Sequence, residues 1–192
     1  MSTHNSQVVV GYDFSGSGRE ALERAVAIAT RAPFHVLHFV CVIEPHGSIP
    51  AVPHTGKVDY QYAEKVQEAL ADVVGQELRA SNASDNIQFF VHARIGKPAE
   101  EILSVAREIG ADLIVLGTKG LTGVERMVLG SVAEKVVREA GCTVEVARAK
   151  AYGDVQLLEI KEIEPHHHYV KPHRYSYENT RVQMRPTEWP LY

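Results

Sequence analysis

Residues 8–29 read VVVGYDFSGSGREALERAVAIA. The stretch opens on Val8-Val9-Val10-Gly11-Tyr12, an apolar run without polar alternation, as expected of a strand covered on both faces. It closes on Gly18 to Ala29, where Leu22, Ala25, Val26 and Ala29 recur on one face of a helix. Between them lie an acid and a cluster of small residues, Asp13-Phe14-Ser15-Gly16-Ser17. A buried strand that passes through a short turn into an amphipathic helix is the first half of a βαβ unit.

The same alternation continues outward. Further strand-like runs are Phe34 to Val42, Ile87 to His92, Leu113 to Leu116 and Thr143 to Ala147. Helix-like segments separate them. Val58 to Leu78 carries Tyr62, Val66, Leu70, Val73 and Leu78. Pro98 to Ile109 has proline in its first turn and carries Ile102, Leu103, Ala106 and Ile109. Ser131 to Ala140 carries Val132, Val136 and Val137. Five strands in strict alternation with four helices predict an α/β domain with a doubly wound parallel sheet. In flavodoxin-like or Rossmann-like strand orders the first strand is central, and ligands sit beyond the carboxyl ends of strands where the winding reverses. The exits of the first strand and of its neighbour, taken to be the fourth, are therefore the segments to inspect.

A chain of 192 residues accommodates one domain, here residues 1–150, plus an extension over 151–192. A net charge of −4 provides no basic field, so neither nucleic acid nor an anionic membrane is an expected partner. No apolar run approaches the roughly 20 residues of a membrane span. The polar start MSTHNSQ lacks the apolar core of a secretory signal, and the expected location is cytoplasmic. Cys41 and Cys142 both fall in strand-like runs and read as structural thiols of a reducing compartment. Residues 44–57, EPHGSIPAVPHTGK, read as an irregular connection or a lid.

Two loops can do chemistry. At the first, Asp13 can accept hydrogen bonds from sugar hydroxyls or help hold a divalent cation, while Asp13 or Ser15 can equally well cap the helix that follows. The pair Gly16-x-Gly18 lacks the third glycine of a dinucleotide fingerprint. The second loop is GTKGLTGVERMVLGS, residues 117–131. Its glycines let backbone N–H groups approach a phosphate, Gly130-Ser131 opens a helix whose N-terminus favours an anion, and Lys119 and Arg126 add positive charge. Ser131 can cap the helix or donate its hydroxyl to phosphate. A plain loop with an ordinary cap explains the same residues.

The glycine spacing resembles that of a known family. Gly117-x2-Gly120-x9-Gly130-Ser131 is similar to the nucleotide-binding motif of the universal stress protein family, and the segments around Asp13-Phe14-Ser15 and over GKPAEEILSVAREIGADLIVLGTKG look like that family's first and third helices with their strands. The likeness covers residues 7 to about 148. It implies a Rossmann-like fold of the adenine nucleotide hydrolase kind, with five parallel strands in the order 3-2-1-4-5. It also implies a homodimer paired through the fifth strand, Thr143 to Ala147. Members with this motif bind ATP, often with Mg2+ or Mn2+. Carried over by position, Asp13 would meet the ribose and the nucleotide-bound metal, and the backbone of Val42 would meet adenine. Gly117, Lys119, Gly120, Gly130, Ser131 and Val132 would surround the phosphates. Ala133 stands where many members place a second hydroxyl, and Thr143 where proline is frequent. The segment after Lys150 has no counterpart.

No GxxxxGK[ST], HExxH, GxSxG or SGGxDS pattern occurs, and no base is placed to activate a nucleophile. The expectation is a nucleotide-dependent stress regulator and not a dedicated enzyme, at a site that still accommodates slow ATP hydrolysis or autophosphorylation. The alternative is a nucleotide-free adaptor that docks a protein partner through its tail. Residues 151–192 hold four of the nine prolines and six of the fourteen aromatic residues, more aromatics than a solvated tail usually carries. Val155 to Ile160 reads as a strand, and no periodicity survives beyond Pro165. His166 and His168 would share one face of an extended segment, a weak Zn2+ or Ni2+ site if other ligands joined, or simply a polar tail. His35, His38 and His92, in or beside strands, read as packed or hydrogen-bonded.

Overall fold

A computed structural model describes residues 5–31, 35–81, 87–118 and 129–149, together with the backbone of 177–178 and 181–182. The chain divides into two units, Met1–Ala149 and Lys150–Tyr192. In the first, strands β1 (Ser6–Gly11), β2 (His35–Ile43), β3 (Gln88–Ile95), β4 (Leu113–Gly117) and β5 (Thr143–Ala147) alternate with helices α1 (Gly16–Arg31), α2 (Tyr60–Ala80), α3 (Pro98–Ile109) and α4 (Ser131–Glu139). All four strand pairings are parallel, and the order is β3-β2-β1-β4-β5. β1 is central and the winding reverses between it and β4, as the alternation predicts.

The period of two along β1 builds two cores. Val8, Val10 and Tyr12 pack with α1 and α2 residues such as Leu22, Val26, Val66 and Leu70. Val9 faces the other way and packs with Ile102, Val105, Ala133 and Val136 of α3 and α4. Cys41 lies in the first core, where burial pushes its thiol up to about 12, an inert packing residue. Cys142 lies just before β5 and not in it, half-buried and unpaired.

Several edges differ from the sequence reading. β3 runs three residues past His92, because its pairing with β2 continues to Ile43↔Ile95. On α2 Val74 joins Tyr62, Val66, Leu70 and Leu78 among the buried residues, and Val73 is only partly buried against them. On α4 the buried pair is Ala133 and Val136, while Val137 is 49% exposed, so this short helix turns Ala133, and not Val137, to the core beside α3. The connection 44–57 is tied down. Tyr62, the third residue of α2, accepts a hydrogen bond from Ile49 N–H at 2.7 Å, donates one to the Val52 carbonyl at 2.8 Å and stacks on His54. Ile49 itself is buried, which makes this loop part of the core wall.

In the second unit, β6 (Tyr177–Glu178) and β7 (Arg181–Val182) form a two-residue antiparallel pair in a region where the sequence shows no periodicity. The strand expected over 155–160 lies outside the described residues. No helix among the described residues is long and apolar enough to cross a membrane.

Candidate functional site

The exit of β1 is a tight, braced turn. Tyr12 N–H still reaches the Val40 carbonyl at 2.9 Å, and the chain then turns through Phe14 at φ 61°, a left-handed conformation that a bulky residue rarely adopts. Strain of this kind persists where the surroundings enforce it. Here Ser15 N–H donates to Asp13 Oδ1 at 3.0 Å, Ser15 Oγ–H donates to the same oxygen, and Gly18 N–H donates to Ser15 Oγ at 3.1 Å. Ser15 is thus the N-cap of α1, and Asp13 braces the cap. A side chain at position 18 would sit 2.7 Å from Asp13 Oδ1, so Gly18 is required for this closeness.

The exit of β4 lies against the same turn. Gly117 ends β4 so near α1 that a Cβ there would lie 2.2 Å from the Ser17 carbonyl oxygen. The next residue, Thr118, is buried and its hydroxyl lies 3.3 Å from Ser17 Oγ. Its carbonyl accepts from Gly130 N–H at 2.8 Å, which brings the start of α4 back to the end of β4. Hydrogen bonds thus tie Asp13 to Ser15 and Ser15 to Gly18, and a second set ties Ser17, the residue before Gly18, to Thr118 and Thr118 to Gly130.

Gly130 is the N-cap of α4 at φ −70°, ψ 153°, and no side chain caps the helix. The N–H groups of its first turn, Ser131 and Val132 among them, have no partner within the helix, the arrangement that suits an anion. Ser131 is exposed and is the first helical residue, which corrects its reading as the cap. Ala133 is directed into the core beside α3. Glu100 on α3 holds both Lys135 of α4, at 3.0 Å, and Lys97, at 3.4 Å, and the Lys135 hydrogen bond foremost keeps its carboxyl below the usual range.

Val42, the penultimate residue of β2, is half-buried with its side chain against the α3–α4 core. Backbone polar groups alternate sides along a parallel strand. Val40 points its carbonyl at Tyr12 and Ile43 points its own at Gly96 N–H on the β3 side. Those of Val42 consequently open onto the space beyond the end of β1.

Of the residues the sequence singles out, Asp13, Gly117, Gly130, Ser131 and Val132 come together at the winding reversal, with Val42 one strand away. Lys119, Gly120, His166 and His168 lie outside the described residues. Among the described residues, no group of three or more His, Cys, Asp or Glu side chains could hold a metal ion. The sequence reading missed Ser17 and Thr118, whose hydroxyl contact joins positions 101 residues apart. It also missed Glu20, one turn along α1 from Ser17, whose Oε2 is shut off from solvent without a partner among the described residues.

The strand histidines form a separate arrangement. His38 Nδ1 lies 3.0 Å from His92 Nε2 and His38 Nε2 lies 2.8 Å from Gln7 Oε1, so one polar row crosses β1, β2 and β3. Gln7 Oε1 can only accept, which makes His38 Nε2 the donor and leaves Nδ1 to accept from His92 Nε2–H. His38 and His92 are hydrogen-bonded, as expected of them.

With β1 central, the winding reversed between β1 and β4, a braced carboxylate at one strand exit and a helix N-terminus at the other, the domain is a doubly wound α/β domain, a class in which ligands bind at the switch point. The universal stress protein family model matches residues 4–148, and the chain belongs to that family. It is 33% identical over 143 residues to a universal stress protein of Methanocaldococcus jannaschii, covering 74% of this chain and 81% of the relative. The universal stress protein UspA from Lactobacillus plantarum superimposes with a TM-score of 0.58 at 28% identity, over 76% of this chain and 99% of that one. A universal stress protein solved in complex with cAMP superimposes at 0.55 and 23% identity, over 76% and 98%. Another, from Archaeoglobus fulgidus in complex with dAMP, does so at 0.51 and 20%, over 76% and 99%.

Proposed function

We propose that this protein binds ATP at the crevice and acts as a nucleotide-dependent stress regulator, without a dedicated catalytic step. The observation that carries the reading is the Thr118–Gly130 hydrogen bond, which sets the open N-terminus of α4 beside the β1–α1 turn. Phosphates would take the N–H groups of Ser131 and Val132, the ribose would approach Asp13, and adenine would meet the backbone of Val42. Lys119 and Gly120 complete the glycine motif in sequence. Two structurally similar members of the family were solved with adenine nucleotides, cAMP and dAMP, which supports a purine ligand of this class. Mg2+ or Mn2+ would enter with the triphosphate, with Asp13 as the carboxylate nearest to it. The fit is partial: Asp13 Oδ1 is committed to Ser15.

Millimolar Mg-ATP, at roughly a hundredfold excess over Kd, should stabilise the fold by about 2.7 kcal/mol, or raise Tm by roughly 5–10 °C. Gly130→Val should lower ATP affinity at least about tenfold while costing roughly 1 kcal/mol of stability or less, since φ −70° suits any residue but valine is a poor cap. Isothermal calorimetry and thermal melts read both effects. No shift in the wild type, with no nucleotide released from the purified protein, would refute the reading in favour of an adaptor without nucleotide. We propose further that the outer edge of β5 pairs with a second copy, which light scattering checks as twice the 21.2 kDa chain mass.

A further inference from the structure

β3 ends one side of the sheet, and among the described residues it pairs with β2 alone. Gly96 N–H bonds the Ile43 carbonyl of β2, so the alternation along the strand turns the backbone groups of Gln88, Phe90, His92 and Arg94 to β2 as well. Phe89, Val91 and Ala93 turn both N–H and C=O to the open side. Their side chains pack against the first core. On the other face Phe90 stacks on His38 and is still 47% exposed. Natural sheets blunt an open edge with a short strand, a proline or charges. β3 has eight residues, no proline and a single charge, Arg94, which is paired with Glu108. β5, the opposite edge, has five residues and carries Glu145 at its middle.

We infer that β3 pairs antiparallel with β3 of a second copy, about a two-fold axis through Val91. The pairing is separate from that of β5 and does not depend on the nucleotide reading. Backbone parity limits the register, because open-side groups meet each other only when the axis passes through a residue and not between two. With the axis at Val91, Val91 meets itself and Phe89 meets Ala93 of the second copy, and each of these rows exchanges both N–H···O bonds. A large side chain then stands opposite a small one on the core face. On the other face Phe90 meets His92 in the closer type of row, which covers the exposed ring. Arg94 falls opposite Gln88, so the two arginines stand about six positions, or about 20 Å, apart and beyond the reach of screened repulsion. An axis at His92 would instead oppose two imidazoles, and one at Phe90 would set Phe89 against Val91 in both directions. The strand is its own complement in the Val91 register, and this singles out a second copy as the occupant. One strand pair is a small interface, so the association is weak.

The test follows the full chain by sedimentation from about 5 to about 500 µM, with hydrogen exchange of the β3 amides at both ends of that range. The weight-average mass of the wild type should rise at least about 1.5-fold, and the amides of Phe89, Val91 and Ala93, open to water in the single chain, should exchange at least about fivefold more slowly at the high concentration. Val91→Pro removes an outward donor and none that faces β2, which a strand edge tolerates. Phe90→Lys places a charge on the exposed face and leaves the backbone intact. Both variants should lose the slowed exchange and the rise in mass that accompanies it, and Phe90→Lys decides the matter if the proline variant does not fold. A wild-type mass that stays constant overturns the inference. So does a mass that rises while the β3 amides exchange at the same rate, which would place the association at another surface, β5 included. A folded Phe90→Lys protein whose β3 amides are slowed as in the wild type overturns it too.

Discussion

Gly117→Ala should cost about 3 kcal/mol or more of folding stability and take nucleotide binding with it, because the added methyl group has nowhere to go. The ideal Cβ would lie 2.2 Å from the Ser17 carbonyl oxygen, 2.5 Å from its carbonyl carbon and 2.7 Å from its Cβ. Two of those atoms are helix backbone, so no rotamer change relieves the contact. Either α1 lifts from the sheet or β4 recedes from it. α1 carries Ala21, Leu22, Ala25 and Val26, all at most 3% exposed, so lifting it opens the first core. Displacing β4 breaks the Ser17–Thr118 contact and the Thr118–Gly130 hydrogen bond that orient α4. Gly16→Ala is the control, since a Cβ at Gly16 meets nothing within 4 Å and alanine is a better helix residue than glycine. Urea denaturation of the two variants should separate them by the full amount. A Gly117→Ala protein as stable as the wild type would show that the close approach of α1 to β4 is not what the motif's first glycine serves.

The same glycine shows where sequence reading stops. Its place in the motif was legible through the resemblance of the spacing to that of the family, which also implied the sheet order; the residues alone gave a doubly wound parallel sheet, because β1 and β4 are apolar without alternation and separated by amphipathic helices. What spacing could not convey is why the glycine is there. The reason is a backbone contact between Gly117 and Ser17, 100 residues apart in the chain. Contacts of this kind leave no side-chain pattern behind. Phe14 is a second instance: a phenylalanine gives no sign of φ 61°, which the Asp13–Ser15 brace imposes. α4 is a third. Nine residues make barely two and a half turns, too few for periodicity to choose between Val137 and Ala133, and the space against α3 admits the smaller residue.

Acidification should destabilise the fold through a different set of residues, by about 2–3 kcal/mol between pH 6.5 and pH 4. Burial foremost, and the neighbouring His92 next, push His38 down to about 4, and burial foremost followed by Arg94 lowers His92. A histidine depressed in the folded state binds its proton more readily when unfolded. Stability is therefore fully present above pH 6.5, falls as the pH drops through the window, and levels off below the folded value of His38. The geometry explains why the row resists protonation. With His38 Nε2–H given to Gln7 Oε1, Nδ1 accepts from His92 Nε2–H, and a proton added at His38 Nδ1 would set two N–H groups against each other across 3.0 Å. The other charged groups nearby are Arg94 and its partner Glu108, and Asp112, whose carboxylate accepts from Gln7 N–H; Glu108 raises His92 by less than burial and Arg94 lower it. Phe90 stacks on His38 at 5.0 Å and completes the enclosure without offering a charge. His38→Gln retains a donor and an acceptor but cannot titrate, so its stability should depend less on pH across the window, and the wild-type advantage should shrink as the pH falls. Urea midpoints measured at pH 7, 6, 5 and 4 decide the matter. Parallel curves for the two proteins would place the acid sensitivity in the carboxylates and leave the histidine row with a purely structural part.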